Sequence, residues 1–200
     1  MSVLTGKPAP DFTCAAVLGD GKIVDDFKLS EAIAGKKGLV FFYPLDFTFV
    51  CPSELIALDH RVDRFKELGV EVIAVSIDSQ FTHNAWRNTA IEDGGIGPVK
   101  YTMAADVTHS ICQAYDVEAD AGVAYRGAFL IDEDGVVRSQ MVNDLPLGRN
   151  IDELIRVVEA LSFHQKHGEV CPAGWQDGDA GMTASPSGVA SYLAENAGKL

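Results

Sequence analysis

The chain has 200 residues, 47% of them apolar and 22% charged, and carries a formal net charge of −13. That length fits one domain with an appendage, and the composition is that of a globular chain with a sizeable core rather than a disordered one. The acid excess, with no cluster of Lys and Arg, argues against nucleic acid and anionic membrane surfaces as partners. Residues 1–8 lack the charged start and apolar core of a signal peptide, and no apolar stretch reaches membrane-spanning length. A cytoplasmic, reducing setting is therefore expected, in which the four cysteines are catalytic, metal-binding or buried rather than a structural disulfide framework.

The predicted elements alternate between strand and helix. Phe12-Thr13-Cys14 has strand alternation, with Cys14 expected in the core. Gly38-Leu39-Val40-Phe41-Phe42-Tyr43 is a near-continuous apolar run, the pattern of a strand buried on both faces. After it, Pro52 fits a first helical turn, Leu55, Leu58, Val62 and Phe65 recur at helical spacing, and Gly69 supplies a stop. Residues 70–77 form a second buried strand ended by Asp78-Ser79. A helical segment spans 83–88, a Gly-Pro-rich break covers 94–98, and a short helix over 107–115 places Cys112 in packing. Gly127-Ala128-Phe129-Leu130-Ile131 and Val136-Val137 flank Asp132-Glu133-Asp134-Gly135, a hairpin signal. Asn150 and Glu153 open a helix whose buried stripe is Ile151, Leu154, Ile155, Val158 and Leu161. The pattern implies an α/β fold, a central mixed sheet with helices on both faces. The expected domain covers 1–166. From about His167 the chain turns rich in Gly, Pro, Asp and Ser, so 167–200 reads as a C-terminal arm, weakly helical only over 189–193.

Chemistry concentrates at Cys51. A thiol at the junction of a buried strand and a helix N-terminus feels the positive end of the helix dipole and unpaired N–H groups, both of which favour thiolate. Thr48 lies one turn back and can hydrogen-bond to the sulfur or to a substrate oxygen. Pro44 closes the strand end and can shield the thiolate from water, and Arg126 begins a strand that a sheet can bring alongside. Glu54, one turn past Cys51, can accept hydrogen bonds from such arginines. Taken without context, Arg126 and Arg149 read first as ordinary surface cations, and Glu54 can be read as a first-turn carboxylate and Thr48 as a cap. Cys171, in Val170-Cys171-Pro172, is an apolar cysteine site in an otherwise polar arm. No Cys-x-x-Cys pair and no local ligand spacing points to a metal, although a site assembled from distant residues stays open. His60, His83, His109, His164 and His167 show no ligand spacing either, and no cofactor is expected.

Tyr43-Pro44-Leu45-Asp46-Phe47-Thr48-Phe49-Val50-Cys51-Pro52-Ser53-Glu54 closely resembles the active-site segment of typical two-cysteine peroxiredoxins, and Glu169-Val170-Cys171-Pro172-Ala173-Gly174-Trp175 resembles their resolving-cysteine segment. The similarity runs from Pro8-Ala9-Pro10-Asp11-Phe12 through Asn143-Asp144-Leu145-Pro146-Leu147-Gly148-Arg149 to the tail, and is strongest to the bacterial alkyl hydroperoxide reductase C branch. The resemblance implies a thioredoxin-like fold and a peroxidatic Cys51 that becomes a sulfenic acid. It implies Thr48 and Arg126 on the peroxide oxygens, Pro44 over the sulfur, and Glu54 and Arg149 in the supporting network. It further implies that Cys171 resolves the sulfenic acid to an intersubunit disulfide and that the homodimers form a ring of five. A thioredoxin-like protein or a flavoprotein disulfide reductase would be the reductant. Slow-resolving relatives carry a Gly-Gly-Leu-Gly loop and a Tyr-Phe pair; here Gly94-Gly95-Ile96-Gly97 is a near match and Tyr192-Leu193 lacks the second ring, so intermediate to robust resistance to over-oxidation is expected. Two other functions fit less well. A disulfide oxidoreductase would want a second cysteine where Glu54 stands, and a holdase ring would need no peroxide chemistry.

Overall fold

The computed structural model describes residues 2–200, the side chain of Lys199 excepted. One seven-stranded sheet contains β1 (Thr13–Val17), β2 (Ile23–Lys28), β3 (Lys37–Phe42), β4 (Val70–Ser76), β5 (Thr102–Ala105), β6 (Arg126–Ile131) and β7 (Val137–Asn143), in the order β2-β1-β5-β4-β3-β6-β7. β3 runs parallel to β4, and β4 to β5, whereas β1–β2, β1–β5, β3–β6 and β6–β7 are antiparallel. The helices are α1 (Leu29–Ala32), α2 (Cys51–Asp59), α3 (Val62–Glu67), α4 (Gln80–Arg87), α5 (Ser110–Ala114), α6 (Ile151–His167) and α7 (Pro186–Asn196). This is the thioredoxin-like mixed sheet that the resemblance implies.

β3 is buried at every position, which is why its sequence is a continuous apolar run rather than an alternation. Its side chains divide between two faces. Val40 and Phe42 join Ile73, Val75, Phe129 and Ile131 in one core with Leu29 and Ile33 on the α1 side and Ile111, Cys112 and Tyr115 on the α5 side. On the opposite face, Tyr43 meets Trp86 of α4 at 6.1 Å between ring centroids. The hairpin signal at 132–135 becomes the β6–β7 turn, where Asp132 Oδ1 accepts from the N–H groups of Asp134 (3.1 Å) and Val136 (2.8 Å) and Gly135 takes the left-handed φ of 76°.

Several elements differ from expectation for physical reasons. The single helix expected after Cys51 is two, α2 and α3, because His60 and Arg61 close α2 onto the carbonyls of Ile56 and Leu58 and Arg61 leaves the helical region at φ −116°, ψ 0°. The helix expected from 107 starts only at Ser110, behind His109 at φ 62°, with Asp106 accepting from the N–H groups of Ile111 and Cys112. β2, with Asp25 and Asp26, and the four-residue β5 are additional strands. α7 runs well beyond 189–193, because Ser185 Oγ accepts from Gly188 N at 3.0 Å and Pro186 occupies the first turn.

The chain divides into compact units 1–151 and 152–200. The composition change at His167 therefore marks the end of α6, whereas the compact division lies earlier, at 151/152. Within the first unit, Cys14 packs against the core cluster and Cys112 belongs to it. Burial pushes the Cys14 thiol up to about 11. Burial, and then Asp106 beside it, pushes the Cys112 thiol well above its ordinary value.

The ring cluster offers a test of the core. Phe129 meets Tyr115 at 5.0 Å and Phe42 at 5.8 Å, both edge-on, and is fully buried. Phe129→Ala should lower unfolding stability by about 3–5 kcal/mol in chemical denaturation.

Candidate active site

The β3–β6 register sets the site. Phe41 lies opposite Ala128, so the antiparallel continuation carries Arg126, at the start of β6, toward the end of β3 from which the 44–50 turn departs. Cys51 then opens α2, with Ser53 and Glu54 N–H groups donating to Val50 O at 3.1 and 3.3 Å. The Cys51 side chain is 1% exposed.

Arg126 Nη1 donates to Cys51 Sγ at 3.4 Å and to Glu54 Oε2 at 2.7 Å, while its Nε is fixed on Leu145 O at 2.7 Å. Arg149 grips the same carboxylate side-on, Nε to Oε1 at 2.9 Å and Nη2 to Oε2 at 3.0 Å, and its backbone N–H adds a third bond to Oε1 at 2.7 Å. Its remaining Nη1 donates to Gly127 O at 2.6 Å, and its guanidinium lies 3.3 Å over the Phe41 ring. Gly148 lets this loop come close, since a Cβ there would meet Val50 Cγ1 at 3.3 Å. The structure thus brings Cys51, Glu54, Arg126 and Arg149 into one buried network. Arg126 and Arg149 are both below 8% exposed, at 3% and 7%, so neither is a surface cation.

Thr48 and Pro44 belong to the approach turn. Pro44 is buried at its start. Thr48 Oγ1 donates to Leu45 O at 2.7 Å, so its proton is committed and its oxygen is left as an acceptor. Phe47 sits at φ 52° and lies against Trp86 at 5.7 Å, still half exposed, and Phe49 is 96% exposed. The turn also contains a group that sequence reasoning missed. Asp46 accepts from Tyr43 Oη at 2.6 Å and meets His83 Nδ1 at 2.7 Å, with both the Asp46 and His83 side chains at 0% exposure. Nothing local marked His83, because Asp46 lies 37 residues away.

Cys171 lies in the second unit. Its thiol donates to Ala160 O at 3.4 Å. Burial raises its pKa, opposed by the Arg156 charge. The turn that carries it is held by Arg156 Nη1 on Trp175 O at 2.9 Å and by Trp175, 2% exposed, against Phe163 at 4.8 Å. The residues with metal-ligand chemistry that lie together among those described are Asp46, Asp78 and His83. Asp78 Oδ2 already accepts from Asp46 N and Ser76 Oγ, at 2.9 and 2.7 Å, and the His83 nitrogen is on Asp46.

Burial alone would push the Glu54 carboxyl up, but the Arg149 hydrogen bonds and charge, with Arg126 behind them, hold it below its ordinary value. Its contribution to stability is therefore complete above the unfolded pKa of about 4.3 and is lost as pH falls through the lower folded value. Glu54→Gln leaves two buried guanidiniums without a counter-charge and should cost about 3–5 kcal/mol near neutral pH. In denaturation series run toward acid, the gap between wild type and variant should close only below the ordinary carboxylate range.

The chain is similar to known proteins over nearly its whole length. Residues 5–140 match the AhpC/TSA family, and residues 160–195 match the C-terminal domain of 1-Cys peroxiredoxin. The alkyl hydroperoxide reductase C of Helicobacter pylori (strain ATCC 700392 / 26695) is 54% identical over 198 residues, covering 99% of this chain and 100% of that protein. Peroxiredoxin-2 of Cricetulus griseus is 53% identical over 174 residues, 86% of each chain. The crystal structure of reduced Plasmodium vivax 2-Cys peroxiredoxin superposes with a TM-score of 0.93 at 46% identity, over 96% of this chain and all of that one. A buried cysteine under an arginine, on a fold shared over nearly the whole chain with such proteins, places it in the AhpC/TSA family as a peroxiredoxin, a thiol-dependent hydroperoxide reductase.

Proposed function

We propose that Cys51 reduces hydrogen peroxide and small alkyl hydroperoxides, and that Cys171 of a partner subunit returns it to a reducible state. The observation that carries the reading is the 3.4 Å contact of Arg126 Nη1 with Cys51 Sγ, made by a guanidinium already fixed by Glu54 and Leu145 O. The Cys51 thiolate attacks one oxygen of ROOH, the O–O bond breaks, Cys51 becomes a sulfenic acid, and the departing oxygen takes up a proton to leave as ROH or water. Thr48, its own proton on Leu45 O, accepts from the peroxide O–H, and Arg126 donates to the oxygen on which charge develops. Pro44 limits water at the sulfur, and Glu54 and Arg149 keep Arg126 from turning away.

The Cys171 thiol then condenses with the sulfenic acid, forming the intersubunit disulfide and releasing water. For this the first turn of α2, where Cys51 is 1% exposed, must unwind, and the Cys171 turn must leave its Ala160 contact. A thioredoxin-like protein or a flavoprotein disulfide reductase supplies the two electrons that regenerate both thiols. The subunits pair as dimers, five to a ring, in a reducing cytoplasm. Position 54, where a disulfide oxidoreductase would carry its second cysteine, is instead a carboxylate in a buried ion pair.

With purified protein, peroxide and dithiothreitol, Cys51→Ser should abolish peroxide consumption. Cys171→Ser should keep it while eliminating the disulfide-linked dimer seen on non-reducing electrophoresis. Full activity in Cys51→Ser would refute the reading. Mass spectrometry of peroxide-titrated protein should show little sulfinylated Cys51 at low peroxide; inactivation there would contradict the resistance expected from Leu193.

A further inference from the structure

Three polar bonds converge on Asp46, the residue before the left-handed Phe47. Its backbone N–H donates to Asp78 Oδ2 at 2.9 Å, its Oδ1 accepts from Tyr43 Oη at 2.6 Å, and its Oδ2 lies 2.7 Å from His83 Nδ1. Asp78 is itself held by Ser76 Oγ at 2.7 Å. Tyr43 spends its proton on Asp46, so at 3.3 Å from His83 Nδ1 it can act there only as an acceptor. His83 Nε2 faces another acceptor, Ala104 O, at 3.3 Å. Both ring nitrogens thus face acceptors. That pattern favours an Nε2–H on Ala104 O, and a proton between Nδ1 and Oδ2 would then leave the buried pair neutral overall.

A non-glycine residue at φ 52° is disfavoured and persists where its surroundings over-determine it. Here the surroundings are α4. His83 and Trp86, three residues apart on its buried face, hold Asp46 on one side of Phe47 and the Phe47 ring on the other. α4 is anchored in turn by Arg87, which donates to the carbonyls of Leu18, Gly19 and Val99. Thr48 follows Phe47 directly in this turn, its hydroxyl on Leu45 O.

We propose that His83 is a positioning residue for peroxide reduction: through the proton it shares with Asp46, it fixes the Phe47 turn that aims the Thr48 hydroxyl. The proposal rests on the peroxide-binding role of Thr48 given above. Misplacing Thr48 by a fraction of an ångström to an ångström should weaken the reaction of Cys51 with peroxide without touching the later thiol steps. Burial raises the Asp46 carboxyl above its ordinary value while His83 opposes the rise, which is consistent with a proton held within the pair.

The test compares His83→Gln, Asp46→Asn, the double variant and Thr48→Val in steady-state assays with hydrogen peroxide and dithiothreitol, alongside thermal melts. His83→Gln and Asp46→Asn should each lower kcat/KM for peroxide by about 10- to 100-fold with kcat retained. The double variant should be no slower than the slower single variant, as expected for one coupled unit. A lowered melting temperature with unchanged kcat/KM would show a merely structural role and overturn the proposal. If Thr48→Val loses peroxide reactivity while His83→Gln does not, the peroxide site stands and the positioning role falls. If Thr48→Val keeps full reactivity, both fall. Should His83→Gln fail to fold, nitrogen-15 NMR of the reduced wild-type protein decides: a protonated Nε2 with a proton on or shared by Nδ1 is expected, and an unprotonated Nε2 overturns the assignment.

Discussion

Two guanidiniums and one carboxylate lie buried beside Cys51, a set with one more positive charge than negative. Arg126 and Arg149 meet at Glu54, whose two oxygens take four bonds from them. Taking three charges out of water is costly, and only close geometry offsets the cost. That geometry ties β6, the 144–149 loop and the first turn of α2 to a single carboxylate. Arg126 shares one nitrogen between Glu54 and the Cys51 Sγ. The rest of the site follows from this arrangement. The loop needs Gly148 to come near Val50, and the sheet needs β6 beside β3 to deliver Arg126.

The approach turn is built on a different principle. Where the floor of the site is charge balance, the turn is backbone geometry held from outside, with Phe47 left-handed and the polar side chains around it directed to fixed acceptors. The two halves come from opposite ends of the same strand-to-helix junction, and they meet at Cys51.

The place of Cys51 was legible in the sequence because its signals are local: an apolar strand, a turn and Pro52 in the first helical turn. The hairpin at Asp132-Glu133-Asp134-Gly135 was legible for the same reason. Arg126, Arg149 and Glu54 were not resolvable from residues alone, since 72 positions separate Arg126 from Glu54 and only strand pairing closes that distance. Resemblance named them; the β3–β6 register explains them. The break between α2 and α3 escaped because Leu55, Leu58, Val62 and Phe65 keep helical spacing across it. β2 escaped because a strand containing Asp25 and Asp26 and largely open to water need not be apolar. His83 escaped because a buried histidine carries no mark until its partner is known.

The two thiols outside this chemistry bear on how the molecule survives its own substrate. Cys112 is fully buried and Cys14 lies against the same core, and both are held as protonated thiols, Cys112 partly by the neighbouring Asp106. Thiolate is the form that oxidants attack. An enzyme that must meet peroxide at every turnover thus keeps two of its four cysteines in the form that oxidants attack least. The raised pKa of both core thiols disfavours disulfide cross-links through the core, whereas the Cys51 sulfur faces a guanidinium donor at 3.4 Å.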